Sequence, residues 1–341
     1  MIDGADRKPR TSEPVIAGTR PSRRRVVTAV SAVLLSRAAW AQQPGRVYRI
    51  GSMSSLPRRN ELTVEWLNEL GRLGFIEGQN FTIDEVSSAL RPEQFPEAAA
   101  RLVKAGVDII LAGGDPAIRA AQQATTTIPI LAMTDDMLGS GLVRSMARPD
   151  GNTTGISLMA TELNGKRQEI LIEMVSGARR IAALSDAGNT TSNRMQELRD
   201  AASARGVELS VYRLVQAAEV ANAIEAAKAA GADGLNILAS PLWHSELPNI
   251  VQQAAALRLP VIYQWPDIAE QGGLAGYGPR ILPIFRDSSR QLAMLLKGAK
   301  PADVPVEQPS KFELVVNLKV AKALGLTLSP SFLGRVDGVV E

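Results

Sequence analysis

The chain has 341 residues, 45% of them hydrophobic and 21% charged, which suffices for two cores and marks a globular protein, not a disordered or fibrous one. It contains no Cys and one His (His244), which excludes disulfides, thiolate metal sites and thiol nucleophiles and leaves little for His-based catalysis. The formal charge of +3 belongs to the N-terminus: residues 1–41 hold eight Lys/Arg against three acids, leaving 30 basic and 32 acidic residues beyond, so the basic balance is no argument for nucleic acid.

Ser22-Arg23-Arg24-Arg25 precedes the apolar run Val26–Leu35 and then Ala39-Trp40-Ala41. A positive stretch, a short apolar run and an A-x-A site together predict a secretory signal over 1–41, cleaved after Ala41. The paired arginines resemble a twin-arginine signal, with Val26 and Val27 in place of the usual Phe-Leu. The run is shorter than the roughly 20 residues a bilayer span needs. The mature chain is therefore expected outside the cytoplasm, without membrane insertion.

From Val47 onward, short β-branched runs alternate with amphipathic stretches, the pattern of parallel βαβ units. Val47–Met53 predicts a first strand, and Leu62, Trp66, Leu70 and Leu73 a helix stopped by Gly74 and Gly78. Strands follow at Phe81–Val86, Val107–Ala112 and Ile128–Met133, with helices at Gln94–Ala105 and Pro116–Thr125. The alternation restarts after Gly155: helix Glu162–Val175, strand Arg180–Ser185, helix Arg194–Arg205, strand Val207–Tyr212, helix Val220–Ala230, strand Gly234–Leu238, helix Leu247–Leu257 and strand Pro260–Gln264. Strand Gly272–Gly278, helix Leu282–Leu296, a Pro-rich crossing at Pro301–Pro309 and a strand running into a helix at Phe312–Leu324 end the series. The fold class is α/β, two doubly wound Rossmann-like lobes joined by hinge strands. One lobe comprises 46–157 plus 274–300 and the other 158–272 plus 305–341, with hinges near Gly155–Met159, Gln271–Leu274 and Lys300–Pro305.

Ligands of open α/β sheets bind beyond the carboxyl ends of the strands, where helix N-termini offer free N–H groups. Those ends carry Ser52, Ser54 and Ser55; Gly113-Gly114-Asp115-Pro116; Thr134, Asp135 and Asp136; Ser185, Asp186 and Asn189; Ser240 before Trp243; Tyr263-Gln264-Trp265; and Gly276-Tyr277-Gly278. Each also has a plain structural reading: Gly113–Pro116 as a helix start, Asp135-Asp136 as a solvated turn, Trp243 and Trp265 as packing residues, His244 as an exposed helix-end residue. Their convergence favours a small-molecule cleft in which Tyr263, Trp243 and Tyr277 stack on the solute while Ser and Asp groups orient it. No nucleophile elbow and no phosphate-loop motif is present, and Gly139-x-Gly141-x-x-Arg144 lacks the third glycine of a dinucleotide loop. The reading is therefore a binding protein, not an enzyme, without cofactor or metal, although a carboxylate-only site around Asp115, Asp135 and Asp136 stays open at this stage.

Several stretches stand in a familiar order: Arg46–Gly51, Leu70–Asn80, Ala124–Ile130, Gly139–Val143, Ala147–Gly155, Gly273–Gly278, Leu296–Asp303 and Pro305–Lys319. Together they resemble the ABC transporter substrate-binding family related to the tryptophan/tyrosine-binding proteins, over essentially all of 46–341. The resemblance implies a type I periplasmic binding protein fold, a small solute such as an amino acid or related carboxylate, and a permease with its ATPase as partners; the protein itself is expected to be a monomer. It also implies ligand contacts at Ser54, Gly113, Asp115, Pro116, Asp136, Asn189, Ser240 and Tyr263. Asp115 stands where the family usually has a small neutral or hydroxyl residue, and Asp135-Asp136-Met137 where it usually reads Gly-Asp-Pro. Since Asp115 partly cancels the positive end of its helix, the departure points to a ligand bearing a cationic or donating group. A sensor for a membrane receptor and an exported hydrolase or lyase are the alternatives.

Overall fold

The computed structural model describes residues 46–53, 60–86, 90, 92–187, 192–240, 243 and 246–341. The predicted signal over 1–41, as well as Ser54, Asn189 and His244, lies outside the described residues. The β-branched runs form two separate sheets. The first is built from β1 (Tyr48–Met53), β2 (Phe81–Glu85), β3 (Ile109–Gly113), β4 (Ile130–Thr134) and β5 (Thr153–Ser157), all parallel, in the order β2-β1-β3-β4-β5. Its helices are α1 (Glu61–Arg72), α2 (Phe95–Ala105) and α3 (Asp115–Ala124).

The second sheet contains β6 (Arg180–Asp186), β7 (Glu208–Leu214), β8 (Gly234–Ile237), β9 (Val261–Tyr263), β10 (Ala275–Gly278), β11 (Glu313–Asn317) and β12 (Gly338–Val340). Its order is β12-β11-β10-β9-β8-β6-β7, parallel except where β10 meets β11. Helices α4 (Asn164–Met174), α5 (Ser192–Ser203), α6 (Val220–Ala229), α7 (Leu247–Ala256) and the short α8 (Asp267–Glu270) connect these strands. After β10 come α9 (Ile281–Leu296), then α10 (Leu318–Ala323) and α11 (Pro330–Leu333). The run β7-β6-β8-β9-β10 repeats the order of the first sheet, so the chain holds two doubly wound lobes, the second extended by two strands.

Residue size sets how the helices approach the first sheet. On one face, α2 and α3 present Ala98, Ala99, Ala117 and Ala121, which let them lie close, and a Cβ at Gly51 would stand 2.9 Å from the Leu102 side chain. The opposite face takes larger groups: Trp66, Leu70 and Phe75 pack on Ile50, Phe81 and Ile109, each buried side chain of this size stabilising by about 1.5–3 kcal/mol. Helix α1 starts at Asn60, whose side chain accepts from the Leu62 N–H at 2.8 Å.

Three stretches pass between the lobes. The first follows β5. The second is short, between Gly278 and α9, which packs on α1 in the first lobe; Ser289 Oγ donates to the Trp66 carbonyl at 3.0 Å. The third runs beside β5, where Ser157 N donates to the Glu307 carbonyl and Glu307 N to the Gly155 carbonyl, both at 2.9 Å.

Three expectations change. The stretch 274–300 is divided between the lobes: its strand β10 pairs with β9 and β11 in the second sheet, while its helix α9 sits against the first lobe. Residues 271–274, expected as a hinge, lie inside the second lobe, where Gly273 N donates to the Ile268 carbonyl at 2.8 Å and a Cβ on Gly273 would come within 2.8 Å of the Tyr263 ring. Of the hinge expected near Gly155–Met159, residues 155–157 belong to the fully buried strand β5, and the crossing follows it. Gly155 is required there, with φ +147° and space for a Cβ only 1.8 Å from the Ala132 carbonyl oxygen.

Candidate ligand-binding cleft

Both sheets reverse strand order at one point, between β1 and β3 in the first and between β6 and β8 in the second. Ligands of such sheets gather beyond the strand ends at that reversal. A cleft opens there, enclosing about 1360 Å³ with the solvent at its mouth included. Ser52, Gly113, Gly114 and Asp135 line it from the first lobe, and Ala239, Ser240, Gln264 and Trp265 from the second. Two helices of the first lobe complete the wall with Thr63, Trp66 and Leu67 of α1 and Ile281, Phe285 and Ser288 of α9.

In the first lobe, local bonds decide which groups face outward. Gly114 caps α3 with a positive φ of +80°, which glycine adopts readily, and its N–H donates to the Met133 carbonyl at 2.9 Å. Asp115 opens the helix, and its carboxylate accepts from Thr134 Oγ1 at 2.5 Å, which turns it toward the β4 end. Asp135 lines the cleft and holds the first crossing: its carboxylate accepts from the Thr161 N–H at 2.7 Å and from the Thr161 hydroxyl. Asp136 closes a turn, accepting from Gly139 N at 2.7 Å. Gly139 is dictated by that contact, since a Cβ there would stand 2.0 Å from Asp136 Oδ2.

In the second lobe, the wall is held from behind by Arg167, which is 0% exposed. Its guanidinium donates to the carbonyls of Tyr277 (2.7 Å), Ala160 (2.8 Å) and Gln264 (3.4 Å) and to Asn164 Oδ1 (2.8 Å). One side chain thus gathers the first crossing and the ends of β9 and β10. Burial lowers its pKa to about 9, opposed by the negative charge of Asp135, so it remains a cation at neutral pH. Asn164 Oδ1 also accepts from Ala239 N at 3.1 Å, and Gln264 Oε1 from Ser240 N at 3.1 Å. Ser240 Oγ donates to Asp186 Oδ2 at 2.5 Å.

Of the site residues expected from sequence, Gly113 and Ser240 line the cleft. Asp115, Pro116 and Asp136 stand beside it at the α3 start and in the turn after β4, outside its walls. The three aromatics expected to stack on the solute are placed elsewhere. Trp243 is 0% exposed, its indole N–H given to the Leu238 carbonyl at 2.7 Å, and Tyr263 is 1% exposed, burial holding its hydroxyl above the ordinary tyrosine pKa. Tyr277 packs with the second lobe's core and offers its carbonyl to Arg167. Strand ends bury the side chains that point into their own lobe, so position at an end does not put a ring in the cleft. The rings that do line it are Trp66, Phe285 and Trp265. Trp66 was legible as a helix residue, but its exposed edge was not; Phe285 and Arg167 carried no signal beyond helical periodicity.

Among the described residues no group of three or more His, Asp or Glu is placed to hold a metal ion. No helix among them is long and apolar enough to cross a membrane.

The family model described as ABC transporter substrate binding protein matches residues 62–340. The chain belongs to that family. Among its relatives is the tyrosine-binding protein of Clostridioides difficile (strain R20291), 24% identical over 280 residues, covering 81% of this chain and 80% of that protein. Two solved structures share the fold. A conserved domain protein from Vibrio cholerae superposes with a TM-score of 0.73 at 23% identity, over 86% of this chain and 99% of that one. An ABC domain in complex with L-Trp from Streptococcus pneumonia gives 0.71 at 21% identity, over 86% and 100%. As a member of this family the chain is a substrate-binding protein, a component that works with an ABC permease and ATPase and binds small solutes.

Proposed function

We propose that this substrate-binding protein acts outside the cytoplasm in an ABC importer, capturing an amino acid or related small carboxylate, aromatic solutes included, by closing its two lobes and handing the solute to the permease and its ATPase. The observation that carries this reading is the cleft itself, bounded by the strand ends of both lobes at their reversal points and walled by Trp66, Phe285 and Trp265. Aromatic walls with a few fixed polar groups suit capture without chemistry. Gly113 and Ser240 are the proposed direct contacts, with Asp115, Pro116 and Asp136 shaping the first lobe's rim; Ser54 and Asn189 belong to the same proposal.

Closure would bend the crossings. Met159 in the first adopts φ +53°, unusual for a residue with a side chain, and sits between β5 and Ala160, which Arg167 holds. The closed form is favoured only by contacts that the open form lacks. The relatives that bind tyrosine and L-Trp lend support to an aromatic amino acid.

The test is a thermal-shift screen of the mature chain over the amino acids, aromatic acids and small carboxylates, followed by small-angle scattering. A true ligand at 100 times its Kd stabilises by about 2.7 kcal/mol. The same ligand should lower the radius of gyration in a saturable way. Absence of any shift across the panel would contradict binding; a shift without contraction would contradict closure; product formation in the same mixtures would contradict a purely binding role.

A further inference from the structure

The cleft does not end at the strand tips. Two adjoining strands of the first lobe show the same gradient along one face. On β3, Gly113 is followed inward by Leu111, and in the β4 column Asp135 is followed by Met133 and then Leu131; toward the other edge, Ser52 of β1 and Glu85 of β2 stand level with Leu111 and Leu131. Residues two apart point to the same side of a sheet, so these are two parallel columns, polar or bare at the rim and apolar below, flanked on the β1 side by a polar edge. Helices α1 and α9 cover the columns with Trp66 and Phe285. The bond from Ser289 Oγ to the Trp66 carbonyl, 3.0 Å, fixes one helix on the other, so the cover is set without a ligand.

From Asp135 to Leu131 is four residues, about 13 Å of extended chain at roughly 3.3 Å per residue. We infer that this recess between the first sheet and helices α1 and α9 is a chamber for an extended apolar chain, and that the solute is amphipathic, with its polar end at the rim and an alkyl or arylalkyl chain running down toward Leu131. This rests on the binding role proposed above and narrows its solute class. Apolar walls gain in proportion to the apolar area removed from water, and a solute that stopped at the rim would leave the half-buried Leu111 and Met133 uncovered, with the buried Leu131 beyond them. Chain length, more than ring shape, then decides affinity, and Leu131 sets the limit.

The test is calorimetric titration of the wild-type mature chain with L-2-amino acids whose unbranched side chains lengthen from propyl to octyl, beside L-tyrosine, L-tryptophan, L-phenylalanine and the phenylalanine homologue one methylene longer. Affinity should rise about fourfold per added methylene, equivalent to about 0.8 kcal/mol, and then level off. In Leu131→Phe and, independently, Leu111→Phe, the long members should lose about tenfold or more while the propyl member is unaffected, shifting the plateau to shorter chains. The wild-type series stands even if one variant does not fold. Normal binding of L-tyrosine or L-tryptophan with a flat response to chain length would overturn the chamber and leave the binding role intact. Failure of the wild type to bind any of these probes would overturn both, together with the amino-acid reading on which the chamber rests.

Discussion

The two walls of the cleft are built on opposite plans. In the second lobe, Arg167, Asn164, Ser240 and Gln264 form one bonded set, Ser240 3% and Gln264 2% exposed: Arg167 donates to carbonyls and to Asn164 Oδ1, and Asn164 Oδ1 and Gln264 Oε1 accept from the Ala239 and Ser240 N–H groups, while the buried Gln264 Nε2 meets no partner among the described residues. In the first lobe the wall is mostly bare sheet and helix: glycine at the β3 end, apolar side chains in columns, and two helices that leave space beneath them. The contrast teaches a division of labour. The second wall ties its shape to the crossings, as a piece that moves together in the proposed closure; the first offers the apolar surface on which the proposed solute would lie.

The sharpest way to break that contrast is Arg167→Met. It strips a buried donor from the carbonyls of Ala160, Gln264 and Tyr277 at once and should cost about 3–5 kcal/mol in a urea unfolding series. A loss below about 1 kcal/mol, the size of one ordinary hydrogen bond, would mean that the second wall does not depend on this pin.

Gly155→Ala tests the fixed point of the first lobe, where the chain leaves for the second. With the Ala132 carbonyl 1.8 Å from the new Cβ, a loss of about 3 kcal/mol is expected in the same assay. Ser240→Ala should be milder, about 1 kcal/mol, because one hydroxyl bond to Asp186 is lost while its N–H still meets Gln264.

The smallest effect concerns Asp267 at the second crossing. Burial raises its pKa above 3.8, partly offset by hydrogen bonds from backbone N–H groups and by Arg280. A carboxyl whose folded pKa is raised destabilises the fold once ionised, and that penalty disappears as pH falls through the raised value. Asp267→Asn should therefore be slightly more stable than wild type at neutral pH, by less than about 1 kcal/mol, and the difference should vanish below pH 3.8. A variant less stable at neutral pH would show that the bond to Ile281 N outweighs burial.

The same contrast explains what was legible in the sequence. Periodicity found the principal helices and most strands because Val/Ile runs and apolar spacing write burial directly into the chain. It missed β5, whose Thr153, Thr154, Gly155 and Ser157 look like a loop and are buried by pairing with β4 and by the Thr154 hydroxyl bond to the Val304 carbonyl, 2.6 Å. It also assigned β10 to the first lobe, whereas the strand joins the second sheet, since a strand's pattern records that its faces are covered, not by which partner. At the cleft, the strand-end rule found two lining residues of the expected set, Gly113 and Ser240. It could not separate rings that turn inward, such as Tyr263 and Trp243, from Trp66 and Phe285, which reach the cleft from helices. Arg167 was least visible of all, because an Arg in an amphipathic helix reads as a surface residue until neighbouring carbonyls converge on it.

The account rests on a solute entering between the two walls, and Gly113 offers the most direct handle. It lies at the rim with nothing within 4 Å of its would-be Cβ, so Gly113→Phe can fill the entrance without disturbing the fold. The decisive measurement is calorimetric titration of wild type and Gly113→Phe with the strongest ligand from the panel, beside their unfolding midpoints. The account predicts saturable binding by wild type, none detectable in the variant, and stabilities within about 0.5 kcal/mol of each other. Unchanged affinity in Gly113→Phe would place the ligand elsewhere and contradict the cleft as its site.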